Sequence, residues 1–273
     1  MTMMPEPTLS VAVVQADVVH GDPDANADVA IAALNSQDAQ LTVFPEAFLT
    51  GYVYDSAEET RAAALPATHA SLERIRMCCA ATGRSAIVGF LESAPEAVYN
   101  TAAFFRPDGR VDMFRKVHIP FMGADRFVTG GNALPVFDLD GFRLGILVCY
   151  DLRPPEAART LALRGADAIV LITNWPEGAE TSADHICIAR AAENRVHLLA
   201  CNRVGTERGV RFLGRSKIIN PAGKVVADSG DAPALLQANL EAALARQKHV
   251  VLRAGEYEID IMGCRRPELY RAG

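Results

Sequence analysis

The sequence predicts an α/β domain with mixed sheets, on three observations. Short apolar runs rich in Val, Ile, Leu and Phe alternate with amphipathic stretches along nearly all of the 273 residues, the pattern of helices packed over sheets. Two turn sequences, Arg106-Pro107-Asp108-Gly109 and Asn220-Pro221-Ala222-Gly223, lie between strand-like segments and predict hairpins, which add antiparallel pairs to the parallel ones. No Pro/Ser-rich linker, low-complexity tract or charge block divides the chain, so one domain is expected rather than two.

In chain order, residues 9–16, 40–44, 85–90, 101–105, 142–149, 168–173 and 197–202 are expected as core strands, because their apolar runs suit strands buried on both faces. Residues 24–34, 58–81, 155–164 and 183–195 have helical spacing, with Thr82-Gly83 and Arg164-Gly165 as stop signals. A strand followed by Pro-Glu occurs twice, at Thr42-Val43-Phe44-Pro45-Glu46 and Thr173-Asn174-Trp175-Pro176-Glu177, a hint of two related halves. Residues 1–255 are expected to form the domain. Residues 256–273 are polar and carry Arg265-Arg266, a tail that either docks on a partner subunit or frays.

Composition narrows the class. Half the residues are apolar and 22% charged, ordinary globular values that leave enough apolar surface for a sizeable core. A net charge of −6 gives no electrostatic footprint for nucleic acid or an anionic lipid surface. The longest apolar stretches are strand-sized, far short of the ~18 residues that a membrane helix needs. Residues 1–10 have neither a basic nor an apolar signal region, so a cytoplasmic location is expected. The six cysteines, at 78, 79, 149, 187, 201 and 264, form no Cys-x-x-Cys pair. Reduced thiols, without structural zinc or another metal, are expected.

Three residues at strand ends carry potential chemistry. Cys149 closes the apolar run 142–148 and precedes a helix; such a strand-to-helix turn projects a thiol beside the next backbone N–H, where partial positive charge favours a thiolate. Glu46 follows the apolar run 41–44, where a partly buried carboxylate is pushed toward the working range of a general base. Lys116 stands in Phe114-Arg115-Lys116-Val117-His118. Each alone has a plainer reading: a small buried hydrophobe, a rim carboxylate, a surface lysine. Together they lie where α/β sheets gather ligands, and their separation in sequence means that only the fold can bring them together.

The chain resembles the nitrilase superfamily, the carbon–nitrogen hydrolases, over residues 8–255. The resemblance rests on Phe44-Pro45-Glu46 with Thr50-Gly51-Tyr52, on Arg115-Lys116-Val117-His118-Ile119, and on Gly145-Ile146-Leu147-Val148-Cys149-Tyr150-Asp151-Leu152-Arg153-Pro154-Pro155-Glu156. It implies an αββα sandwich, a Glu46, Lys116 and Cys149 triad, no cofactor, and homo-oligomers built by pairing sandwiches as αββααββα. In the chemistry these groups permit, Glu46 takes the thiol proton, Cys149 attacks the substrate carbon, and the Lys116 ammonium with the Tyr150 backbone N–H stabilises the oxyanion. Many members carry a further active-site glutamate after the lysine. Here the nearest carboxylate is Asp125, which either replaces it at shorter reach or pairs with Arg126.

Tyr-Asp after the cysteine resembles the amidase-like branch, so a small-molecule amide is the expected substrate and a nitrile less so. Tyr52, Phe121 and Trp175 are candidate aromatic walls, and Asn174 or Tyr150 candidate partners for a carboxamide, against core packing as the alternative. Hydrolysis of N-carbamoyl amino acids or of dicarboxylate monoamides, the omega-amidase activity, would need a cation for the substrate carboxylate; Arg126, Arg153 and Arg203 are candidates. Other classes lack their signatures. Gly223-Lys224-Val225 is not a phosphate loop and no Gly-x-Ser-x-Gly elbow exists. A catalytically dead scaffold would require an unreactive Cys149. His118 and the remaining cysteines are expected to be structural or inert, Cys264 being the one in an exposed tail.

Overall fold

A computed structural model of the chain describes residues 6–270; the ends of the expected domain and tail, residues 1–5 and 271–273, lie outside them. The chain opens with β1 (Thr8–Gln15), α1 (Pro23–Asn35), β2 (Leu41–Val43), α2 (Ala57–Ala63), α3 (Ala70–Thr82), β3 (Ser85–Ser93), β4 (Val98–Phe105) and β5 (Val111–Arg115). Next come β6 (Val136–Leu139), β7 (Phe142–Val148), α4 (Pro155–Leu163), β8 (Ala168–Ile172), α5 (Cys187–Asn194) and β9 (His197–Cys201). The last part holds the short pair β10 (Thr206–Glu207) and β11 (Val210–Arg211), then β12 (Lys217–Ile219), β13 (Val225–Asp228), β14 (Ala234–Glu241) and α6 (Ala242–Arg246). A hairpin of β15 (His249–Arg253) and β16 (Tyr257–Asp260) follows.

The strands form two six-stranded sheets, ordered β14-β1-β2-β3-β4-β5 and β13-β12-β9-β8-β7-β6. Three parallel strands occupy the middle of each, β1-β2-β3 and β7-β8-β9, with antiparallel partners on both sides. The two sheets therefore share one topology, and the two Pro-Glu sequences follow the equivalent central strands β2 and β8. Both predicted hairpins are present, joining β4 to β5 and β12 to β13.

Alternation along the strands builds four layers. Val11, Val13, Val43 and Phe104 of the first sheet pack in one core with Leu144, Ile146, Val148 and Leu199 of the second. On the outer face of the first sheet, Val14, Phe44, Val88 and Phe105 pack against Ala27, Ala30 and Leu34 of α1 and Leu72, Ile75 and Cys79 of α3. Leu161 of α4 and Cys187 and Ala191 of α5 join the core of the second sheet. The result is the αββα sandwich. Capping follows the sequence: Asp22 accepts from the Ala25 N–H with Pro23 at the first helical position, and Gly83 ends α3 at φ +70°.

The structure corrects one boundary. Residues 58–81 form two helices, because Pro66 cannot continue a helix and the intervening chain instead bridges Leu65 to Glu92 of β3. The boundary placed at residue 255 falls in the turn between β15 and β16. That hairpin is tied to the body by Lys248 Nζ, which donates to the Asn194 and Arg195 carbonyls, and by Arg159, which contacts Met262.

The sheet also fixes the turn after β2. Gly89 of β3 donates to the Pro45 carbonyl, and its own carbonyl accepts from Leu49 N–H at 3.1 Å. A Cβ on Gly89 would press on the Pro45 carbonyl and the Ala47 amide and lie 2.7 Å from Glu46 Cα. Gly89→Ala is therefore expected to cost about 1–3 kcal/mol and lower the melting temperature by several degrees, as thermal unfolding followed by circular dichroism would record.

Candidate active site

The site lies at one end of the sandwich. Strand direction explains the clustering: β2, β3 and β5 run the same way, so the end of β2 that leads to Glu46 and the end of β5 that leads to Lys116 lie on one edge, with the antiparallel β4 bringing Asn100 of its N-terminal half to the same place. In the second sheet, parallel β7 and β8 deliver Cys149 and Asn174. Both turns that carry a reactive group include a non-glycine residue in the left-handed region, Ala47 at φ +46° and Cys149 at +47°. Such backbone is held only where the surroundings over-determine it. Ala47 is fully buried and its carbonyl accepts from both Thr50 and Gly51.

Lys116 is the centre of the cluster. Its side chain is 0% exposed, with Nζ 2.8 Å from Glu46 Oε1 and 2.5 Å from Asp125 Oδ2. Asn100 Nδ2 bridges the two carboxylates, donating to Glu46 Oε1 at 2.7 Å and Asp125 Oδ1 at 2.9 Å. Tyr52 donates its hydroxyl to Asp125 Oδ2 at 2.8 Å. The Asp125 carboxylate is thus paired with Lys116, while Arg126 donates to the Tyr54 and Gly123 carbonyls.

Burial dominates the electrostatics. It pushes the Glu46 carboxyl above its ordinary value, aided by the Asp125 charge and opposed by Lys116 and Asn100. Burial pulls the Lys116 ammonium down, but Glu46 and Asp125 outweigh it and hold the group well above the ordinary lysine value. The Cys149 thiol is pushed well up by burial and by Glu46, against the opposing influence of Lys116 and a backbone hydrogen bond from Asn174. A thiol so held needs a base close by, and Glu46 Oε2 is buried without a hydrogen-bond partner. Both polar atoms of the Asn174 side chain are likewise buried and unpartnered. This arrangement can move a proton between a thiol and a carboxylate beside a fixed ammonium.

Tyr52, Asn174 and Trp175 are buried, and Tyr150 is 43% exposed on the single-turn helix Cys149–Leu152. Phe121 is not brought to the cluster; it is 90% exposed, in the loop before the turn Gly123–Phe127. Arg203 is buried and spent on Glu207 and Asp17, and Arg153 is exposed. A cavity of about 310 Å³ lies along β5, lined in part by Glu92, Tyr99 and Arg115; there Arg115 is already paired with Glu92 and stacked 3.8 Å from the Tyr99 ring centre. It does not include the cluster. Among the described residues, no three His, Cys, Asp or Glu side chains are disposed to hold a metal ion. Sequence reading missed two members. Asn100 is a polar interruption at the start of an apolar strand, and Asp151 is a buried carboxylate inside the cysteine motif.

Lys116→Met would leave Glu46 without the ammonium that draws its pKa down. The folded-state pKa of Glu46 then rises further above its unfolded value, so the stability associated with the group is present at low pH and lost as pH rises. The variant is expected to be less stable by about 3–5 kcal/mol at pH 7 and by less at pH 5, as urea unfolding at the two pH values would show.

Comparison with known proteins places this geometry. The carbon-nitrogen hydrolase family pattern matches residues 10–249. A nitrilase from Pyrococcus abyssi is 35% identical over 222 residues, covering 80% of this chain and 84% of that protein. An (R)-stereoselective amidase from a Pseudomonas species is 31% identical over 71% of this chain and 70% of its own length. Among solved structures, a mutant of the amidase from Nesterenkonia sp. AN1, showing covalent addition of the acetamide moiety of fluoroacetamide at the active-site cysteine, superposes with a TM-score of 0.77 at 29% identity, covering 96% of this chain and 95% of that one. The sandwich, its motifs and these relatives agree: the chain belongs to the carbon-nitrogen hydrolase family, in the amidase-like branch of the nitrilase superfamily.

Proposed function

We propose that this enzyme hydrolyses small uncharged carboxamides to the carboxylic acid and ammonia through a thioester on Cys149. The observation that carries the reading is the buried Glu46–Lys116 pair set beside a cysteine held at positive φ. Glu46 takes the thiol proton as Cys149 Sγ attacks the carbonyl carbon. Lys116 has three N–H donors, and two are engaged by Glu46 and Asp125; the third, with the Tyr150 backbone N–H, serves the oxyanion. Protonated Glu46 then gives its proton to the departing nitrogen, the C–N bond breaks, and a thioester remains. Glu46 next takes a proton from water, hydroxide adds to the thioester, and the thiol leaves with that proton.

Asp125 positions Lys116 and Tyr52 in this scheme, the place that a further glutamate has in many members of the superfamily. The unpartnered Asn174 amide supplies one donor and one acceptor, the complement of a substrate carboxamide. An uncharged acyl group is favoured over a carboxylate-bearing one, because Arg203 is consumed by Glu207 and Asp17, Arg126 by backbone carbonyls, and Arg153 lies at the surface. We also infer that two copies pair through their sandwiches, which light scattering would register as a mass of at least twice 29.3 kDa.

Ammonia release from propionamide tests the activity. Wild type is expected to release it, Cys149→Ala to release none, and Asp125→Asn to lose about 10-fold or more in kcat/KM. Release by Cys149→Ala would remove the nucleophile, whereas turnover of only succinamate or N-carbamoyl amino acids by wild type would move the enzyme to the carboxylate-bearing substrates. The pH profile carries a second expectation. Because burial raises Glu46, the acid limb of kcat/KM should fall at a pH above the ordinary glutamate value of 4.5, with an apparent pKa belonging to the coupled Glu46, Lys116 and Cys149 set.

A further inference from the structure

We infer that Asp151 is the positioning residue that sets Lys116 and Cys149 relative to each other. Its carboxylate is fully buried and sits where the two sheets meet. One oxygen, Oδ2, accepts from the Val148 N–H at 3.1 Å, at the base of the strained cysteine turn. The other, Oδ1, accepts from the His118 N–H at 2.8 Å and faces His118 Nδ1 at 2.7 Å, and the Val117 N–H lies 3.2 Å from Oδ1 and 3.4 Å from Oδ2. Val117 and His118 follow Lys116 directly, and Val148 precedes Cys149 directly.

One buried anion thus fastens the peptides beside the ammonium to the peptide beside the thiol, across sheets that hydrogen-bond separately. Neither β5 nor β7 fixes this distance by its own ladder. The residue touches no reacting atom; it acts through the backbone on either side. His118 completes the clamp from the half-exposed side. The carboxylates facing it are Asp151 and Glu156, and its Nδ1–H donates to Asp151 whether the ring is neutral or charged.

The amidase reading enters only through the kinetic readout. A second readout, the pH profile of Cys149 alkylation by iodoacetamide followed by peptide mapping, is independent of substrate. Asp151→Asn turns an NH2 group toward backbone N–H donors and breaks the clamp. For this variant kcat on propionamide is expected to fall about 100-fold, the scale of a misplacement near 1 Å, with KM within a few-fold and the alkylation midpoint displaced. Asp167→Asn is the control. Asp167 is also a buried carboxylate bonded to backbone and arginine, at the opposite end of β8, and its loss should lower thermal stability while leaving kcat and the alkylation profile as in wild type. A folded Asp151→Asn enzyme with wild-type kcat and an unmoved profile would overturn the inference. Should that variant not fold, His118→Ala, which keeps the three backbone donors, decides: a several-fold loss of kcat with a displaced profile supports the clamp, and no change in either overturns it. If wild type leaves propionamide intact, the functional reading fails, and the alkylation profiles still decide the role of Asp151.

Discussion

The structure depends on one buried ammonium. Removing a lysine from water costs several kcal/mol, and that cost is offset only where carboxylates and hydrogen bonds are supplied with good geometry. Glu46, Asp125 and Asn100 supply them, and Tyr52 completes the shell around Asp125. The arrangement carries two acidic groups on one basic group, so it can accommodate a proton held between them and the nearby thiol. Burial that would be a liability in a structural ion pair here pushes the Glu46 carboxyl above its ordinary value, the direction that suits a general base.

The sandwich brings the ends of four strands toward that ammonium. A pair of parallel three-stranded centres, each flanked by antiparallel strands, places the outgoing ends of β2, β5, β7 and β8 on one edge of the molecule. The remaining work falls to the turns. Ala47 and Cys149 in the left-handed region aim their chains away from the strand direction, the close approach of Gly89 seats the Glu46 turn, and the Cys201 thiol, 3.3 Å from the Val43 carbonyl and 3.4 Å from that of Val14, packs the second sheet against the first just below the site. The buried cysteines other than Cys149 sit in such packing positions. Burial lifts Cys187 and Cys201 well above the ordinary thiol range, and the carboxylate that acts on Cys187, Asp184, is paired with Arg215 and Lys217.

Much of this was legible in the residues. Central strands such as β7 and β8 are continuous apolar runs, and both hairpin turns carry Pro and Gly at turn positions, so local chemistry and tertiary role agree. Edge strands were harder. β13 alternates half-buried and exposed residues, β14 alternates buried or half-buried with exposed ones, and β14 pairs with β1 across more than two hundred residues of sequence, a contact no local pattern announces. Pro66 divided what the spacing read as one helix. At the site, the motifs around Glu46, Lys116 and Cys149 are specific enough to single those residues out, whereas the sequence leaves Asp125 between standing in for a further glutamate and pairing with Arg126; the fold puts Lys116 beside it. Asn100 and Asp151 went unnoticed because an asparagine in a strand and an aspartate after a cysteine have ordinary local explanations; only the meeting of distant strands gives them their tasks. Phe121 shows the converse, an aromatic residue close in sequence to the site that the fold leaves in solvent.

In the proposed mechanism Cys149 carries the acyl group during turnover. Intact-protein mass spectrometry of enzyme quenched in acid during propionamide hydrolysis, followed by peptide mapping, tests it most directly. One added propionyl group is expected, located on the peptide that bears Cys149 and released on raising the pH. Continued turnover with no such adduct, or an adduct on another cysteine, would contradict it.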